Sequence, residues 1–347
     1  MARTTTNKTR TRKKPPARRA RGATSKPDAA AAEKGRGRRA DTPSEVPARG
    51  WKDIGWRLYA AFTEDHAMLV AAGATYYMLL ALFPALTAFV SLYGFVADPL
   101  TVADHIAFLG GVLPAGGYEI IRDQLTALAE QEVGALSFGF LLGLAIALWS
   151  ANAGIKSMFE AMNIAYREKE KRSFLMLNLV SLGFTFGAIL IAILLIVMVG
   201  VVPAALAMLG ADGWSEVLVR WLRWPVMLVF VAFAISLVYR YGPSRERAKW
   251  RWLSWGAVLA TLVWVVASIG FSWYLENFAD YNATYGTLGA VIGFMVWTWI
   301  SVMIIVVGAE LNAALEHQTA KDTTTGPARP MGERGAVVAD TLGAAQD

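Results

Sequence analysis

The chain has 347 residues, of which 55% are hydrophobic and only 17% are charged. A soluble chain of this size carries about 25% charged residues, so a water-soluble globular enzyme is excluded as the starting expectation. There is no cysteine, which removes disulfides, cysteine–zinc sites and thiol nucleophiles. The three histidines, His66, His105 and His317, lack neighbours at metal-ligand spacing, so neither a metal nor a cofactor is expected.

Residues 1–50 carry 15 Lys and Arg against four acids, a net +11, while the remainder of the chain is −5. This segment is rich in Ala, Pro, Thr and Arg and cannot bury a core, so it reads as a disordered basic tail. Its charge suits anionic lipid headgroups. Any nucleic-acid binding by such a tail is non-specific, so no specific nucleic acid is expected as a partner.

Residues 51–316 read as a membrane domain. About 20 consecutive apolar residues cross a hydrocarbon core of roughly 30 Å, and six segments reach that length, at about 67–96, 134–158, 174–202, 217–239, 253–274 and 288–309. The predicted fold is all-α, a polytopic membrane protein built as a six-helix bundle. Pro84 falls inside the first span and predicts a kink there. Between the first two spans, Tyr118–Val133 places Ile121, Leu125 and Leu128 on one helical face, which predicts an amphipathic helix on the outer surface.

The loops alternate in charge. The loop 98–133 has six acids and one base, "YREKEKRS" (166–173) has four bases, and Ala204–Glu216 has none. "RYGPSRERAKWR" (240–251) has five bases, and Glu276–Tyr285 again has none. Positive charge stays on the cytoplasmic side of a membrane, so both termini are predicted to be cytoplasmic. Trp250, Trp252 and Trp255 mark the inner interface of the fifth span. Residues 317–347 read as a flexible cytoplasmic tail.

Polar residues inside spans are costly and therefore candidates for function. Tyr76 and Tyr77 lie in the first span, Asn152, Lys156 and Asn163 in or just after the second, Arg240 ends the fourth, and Glu310 and Asn312 end the sixth. Two readings stand for them. Glu310 pairs with Arg240 or Lys156 and ties helix ends together, or these residues line a polar pocket for a headgroup, an ion or a proton. Glycines four apart, Gly139–Gly143, Gly183–Gly187 and Gly289–Gly293, with Gly286 before the last pair, predict close helix packing.

Four stretches carry a resemblance: "AAGATYYMLLALFPALTAFVSLYG" (71–94), "LWSANAGIKSMFEAMNIAYRE" (148–168), "VYRYGPSRERAKWRW" (238–252) and residues 270–316, which include "YLENFADYNATYGTLGA". Taken in order, they resemble the BrkB/YihY family of bacterial inner-membrane proteins, once labelled ribonuclease BN. The family's matching positions here are Tyr76, Tyr77, Pro84, Asn163, Tyr239, Gly242, Pro243, Tyr285, Gly286, Gly308, Glu310 and Asn312. Ala81 and Trp255 depart from the family's usual serine and proline. The resemblance implies six membrane helices and an association with envelope lipid transport and serum resistance. It brings no catalytic residue.

Three functions follow as alternatives. A transporter or exporter of lipid or another envelope component fits the intramembrane polar residues. It would not hydrolyse ATP, since no GxxxxGK loop is present. A scaffold with envelope-protein partners is the second. The old ribonuclease label finds no acid–base pair or carboxylate cluster in the sequence, and the expectation is that the protein is not an enzyme.

Overall fold

The computed structural model describes residues 33, 35–93, 122, 126, 138–196, 198, 214–277 and 289–346. After a short 3-10 turn at Pro43–Glu45, the described helices are α1 (Ala48–Glu64), α2 (Ala67–Tyr93), α3 (Phe138–Ala165), α4 (Phe174–Ile196), α5 (Trp214–Tyr241), α6 (Trp250–Asn277), α7 (Gly289–Glu316) and the short α8 (Val337–Asp340). Among the described residues the regular elements are all helical, with one isolated β-bridge between Ala248 and Thr324.

Helix α1 begins directly after Pro47 and buries Gly50, Asp53, Ile54 and Ala61 on one side. It stops at Asp65, whose N–H returns to the carbonyl of Ala61. His66 then takes the left-handed conformation, with φ of 51°, and α2 leaves at a bend of 58°. Helix α3 ends in a related way. Arg167, at φ of 55°, places its N–H on Ile164 O and the N–H of Glu168 on Asn163 O, a Schellman closure without the usual glycine.

Helices α4, α5, α6 and α7 are long and apolar enough to cross a membrane, and α1 with α2 makes a fifth if the bent pair is one span. Only 11% of the crossing windows of α4 and α5 is buried. Helices that are apolar all round and yet uncovered need a lipid environment. The core lies where α2, α3, α6 and α7 converge, and it is built largely from alanine, including Ala71, Ala74, Ala161, Ala257, Ala260 and Ala309. Small side chains let these backbones approach closely. The expected external helix lies outside the described residues apart from Arg122 and Thr126, whose hydroxyl bonds Arg122 O at 2.9 Å. The turn 278–288 also lies outside them, as does Gly286.

The glycine expectation is corrected. A Cβ on Gly183, Gly187 or Gly293 would meet nothing within 4 Å. The close approach falls elsewhere: a Cβ on Gly256 of α6 would collide with the carbonyl of Gly308 and the amide of Asn312, and one on Gly308 of α7 with the Tyr239 hydroxyl. Gly289 is buried at the start of α7. Gly139, Gly143 and Pro84 lie within α3 and α2, but their surroundings are outside the described residues.

The expected tails also differ. Residues 35–347 form one compact unit and residues 1–34 another, so the boundary falls well before residue 50 and no break follows Glu316. Residues 35–47 and 317–346 interleave over one end of the bundle. Gln318 is fully buried and donates to Arg36 O at 2.7 Å and Asp53 Oδ2 at 3.2 Å. Arg36 pairs with Asp53 at 2.6 Å, and Asp53 also accepts from Gln346 N at 2.9 Å. Arg334 donates to the carbonyls of Ala320, Lys321 and Ala339 at 2.7 to 3.1 Å. This segment is polar and has no apolar core of its own. It folds because it satisfies groups on the helix ends that would otherwise lack partners.

Candidate functional site

The eight polar residues singled out above do not meet in one pocket. Tyr76 and Tyr77 point away from the bundle, 59% and 46% exposed, and pack edge to face on each other. Asn152 is buried and donates to Asn178 Oδ1 at 3.3 Å, linking α3 to α4. Lys156 lies over the Trp149 ring, 5.5 Å from its centre. Arg240 stacks on Trp250 at 4.6 Å and donates to Ala248 O. Glu310 therefore has neither of the cationic partners expected for it.

The remaining three, Asn163, Glu310 and Asn312, gather at the end of the bundle beneath the interleaved termini. Asn312 joins α7 to α6: its Oδ1 accepts from Gly256 N at 2.9 Å and its Nδ2 donates to Leu253 O at 3.1 Å. Asn163 Oδ1 accepts from Ser244 N at 2.7 Å, and its amide donates to Glu170 at 3.1 Å. Glu310 is 3% exposed. Its carboxyl group interacts with that of Asp65, the residue that ends α1, and Arg167 acts electrostatically on both.

Neither Glu310 Oε1 nor Asp65 Oδ2 meets a hydrogen-bond donor, although both atoms are buried. The Tyr166 hydroxyl is buried and without a partner in the same region. Glu310 is removed from water and Asp65 is partly buried; like charges so placed repel each other, and unpartnered buried polar atoms are costly. A shared proton or a small cation between the two acids relieves both problems. The acid pair, the phenol and Arg167 thus form a polar site with open valences, held by the two left-handed turns at His66 and Arg167.

A second, fully satisfied cluster supports it. Arg245 donates to both oxygens of Glu316, at 3.1 and 2.7 Å, and its guanidinium lies 5.0 Å from the centre of the Tyr166 ring. Thr323 adds a bond of 2.6 Å to Glu316. The loop "YREKEKRS" is part of this support and not a solvated run: Glu168 is buried and accepts from Lys171 and from Val337 N. Glu170 is held by Arg172 at 2.7 and 2.8 Å. That guanidinium keeps the Glu170 carboxyl down, at about 2. His317, just past α7, is pushed down to about 4 by burial, with nearby Arg57 adding to the effect.

Sequence reading missed Asp65, Tyr166, Arg245 and Glu316. The available signal was that Asp65 abuts the first apolar run, at the boundary where a charge needs a reason, and that Glu316 follows Glu310 on the last turns of α7. Among the described residues, no three His, Asp or Glu side chains converge as a metal-ligand set.

The family described as Virulence factor BrkB matches residues 58–332. The chain is similar to the ribonuclease-like protein YfkH of Bacillus subtilis, 31% identical over 268 residues that cover 75% of this chain and 94% of that protein. It is also similar to a UPF0761 membrane protein of Neisseria meningitidis serogroup B, 27% identical over 76% of this chain but only 63% of that relative's length. A UPF0761 membrane protein of Idiomarina loihiensis is 28% identical over 74% of this chain and 88% of its own. No solved structure matches. A match across most of the helical unit, with relatives that are themselves named membrane proteins, places the chain in the BrkB family of membrane proteins.

Proposed function

We propose that this protein is a carrier of the bacterial inner membrane that moves a lipid or another envelope component, driven by an ion gradient and without hydrolysing ATP. In this reading α2 to α7 are six spans, both termini face the cytoplasm, and the chain is not an enzyme. The alternating loop charges support the orientation, and the basic residues 1–34 would face anionic headgroups of the inner leaflet.

The observation that carries the reading is the facing pair Asp65 and Glu310, with an open valence on each acid. Carboxyls at the end of a helix bundle with an unfilled valence are where a coupled carrier can hold a proton or cation, and Arg167 acts on both acids here. The test is reconstitution in liposomes with labelled phospholipids under an imposed proton or sodium gradient. Gradient-dependent movement that is lost in Glu310→Gln and Asp65→Asn is the expected result. No movement across a panel of lipids and ions overturns it.

The alternative reading is a scaffold for envelope assembly. It draws on the interleaved termini, which build an ordered surface over one end of the bundle. Co-purification of a stable envelope complex, with inert liposomes, would favour it. The ribonuclease reading rests on the description of the Bacillus relative; Glu64 and His66 flank Asp65, but among the described residues no three His, Asp or Glu side chains converge as a metal-ligand set.

A further inference from the structure

Helix α1 has two faces, and only one is explained by the fold. Its buried side packs on the bundle and the interleaved termini. The other side exposes Arg49, Lys52, Trp56, Tyr59 and Thr63, spaced by three or four residues in one continuous stripe, with Gly55 beside Trp56. Trp56 is 53% exposed and Tyr59 69% exposed, and the two rings meet edge to face. Lys52, Gly55, Trp56 and Tyr59 line an open cleft of about 460 Å³, within the rough 300–1,000 Å³ range of small-molecule sites.

The level of this cleft relative to the membrane follows from its neighbours. Trp51 of α1 packs against Trp255 of α6 at 5.7 Å. Trp255 and Trp250, each 45% exposed, stand on the first turns of a crossing helix, where tryptophans mark the membrane boundary. At its other end α1 runs through a single bend into α2, whose first exposed residues are Met68 and Leu69. The stripe is therefore basic where it leaves the membrane and aromatic where it enters, the pattern of a helix lying in the headgroup layer.

We propose that the exposed face of α1 is a phospholipid-binding surface, with the cleft taking the headgroup of an anionic lipid from the adjoining leaflet. Lys52 faces the phosphate, and Trp56 and Tyr59 flank the glycerol region with apolar rings and polar tips. Arg49, one turn earlier, adds charge. The inference rests on the membrane-spanning fold and not on transport, so it stands or falls separately from the carrier reading.

Because the chain has no cysteine, Thr63→Cys carries a single nitroxide on the same stripe. In nanodiscs containing phosphatidylglycerol, that label should be shielded from a water-soluble nickel reagent, in contrast to one at the exposed Lys321. Gly55→Phe supplies a second arm. A Cβ there meets nothing within 4 Å, and the ring would occupy the cleft beside Trp56 and Tyr59 while leaving Lys52 in place. Native mass spectrometry of the purified protein with phosphatidylglycerol and with phosphatidylcholine should show preference for the anionic lipid. Retention should fall about fivefold in Lys52→Ala and further in Gly55→Phe. A Thr63→Cys label as open to nickel as the Lys321 reference, or phosphatidylglycerol retention unchanged in both variants, overturns the proposal.

Discussion

Arg245 grips Glu316 with both arms of its guanidinium, and the two side chains are 2% and 0% exposed. The pair joins the loop after α5 to the last residue of α7, and Tyr166 stacks on it from the end of α3. Removing one member strands a buried charge, which costs about 3–5 kcal/mol. Glu316→Gln and Arg245→Ala should each lower the unfolding midpoint in detergent markedly. The double variant Arg245→Met with Glu316→Leu should be milder than either single change, because it strands no charge. Thermal unfolding followed by intrinsic fluorescence checks both statements.

Glycine substitutions separate real contacts from coincidental spacing. Gly256→Ala and Gly308→Ala push a methyl group into the opposing backbone or into the Tyr239 hydroxyl, which itself bonds Ile305 O at 2.8 Å. Both should destabilise by about 1–3 kcal/mol or more, the usual range for overpacking. Gly183→Ala and Gly293→Ala meet open space and should be neutral, or stabilising by up to about 1 kcal/mol through helix propensity. Midpoints of the four variants, measured side by side, decide the matter.

Acid should loosen this end of the bundle in two steps, first at the C-terminal segment and then at the loop between α3 and α4. His317 has an ordinary value of 6.5 and a folded value of about 4. Between those values the unfolded chain binds a proton that the folded chain refuses, so stability is complete above about 6.5 and falls as the pH drops towards 4. Glu170 falls from 4.5 to about 2. Its contribution is complete above about 4.5 and is lost as the pH falls through 2. His317→Gln should flatten the upper part of the stability profile, and Glu170→Gln the lower part, in unfolding scans from pH 7 to pH 2.

Neutralising one member of the facing acids should not weaken the fold. Glu310→Gln removes like-charge repulsion and supplies a donor for Asp65. Its midpoint is expected to equal or exceed that of the parent protein while gradient-driven activity is lost. A fall of several degrees, with activity kept, would make Glu310 a structural residue.

Hydropathy made the helices legible, because each apolar run is long and the tryptophans stand at its ends. Trp252 is the exception: it looks interfacial in sequence but is 1% exposed, packed with Ile54 and Leu315. The partners of Glu310 were not legible, since Lys156 and Arg240 compete as cations in sequence and only the fold turns them onto Trp149 and Trp250. Asp65 was hidden because a helix-ending acid before an apolar run looks like ordinary capping. The glycine contact joins residues 52 apart in sequence, Gly256 and Gly308, which no local spacing rule detects. Residues 317–346 carry no apolar period, and their order comes from buried bonds to Arg36, Asp53 and Glu168.

The interleaving of residues 35–47 with residues 317–346 sets an order of assembly. Asp53 and Gln318 are 265 positions apart, so the ribosome has placed every apolar helix before their bond can close. Until then Asp53, Arg36 and Glu316 stand open to water, and any chain broken off early keeps them so. The interleaved termini can therefore close only after the last apolar helix has been made.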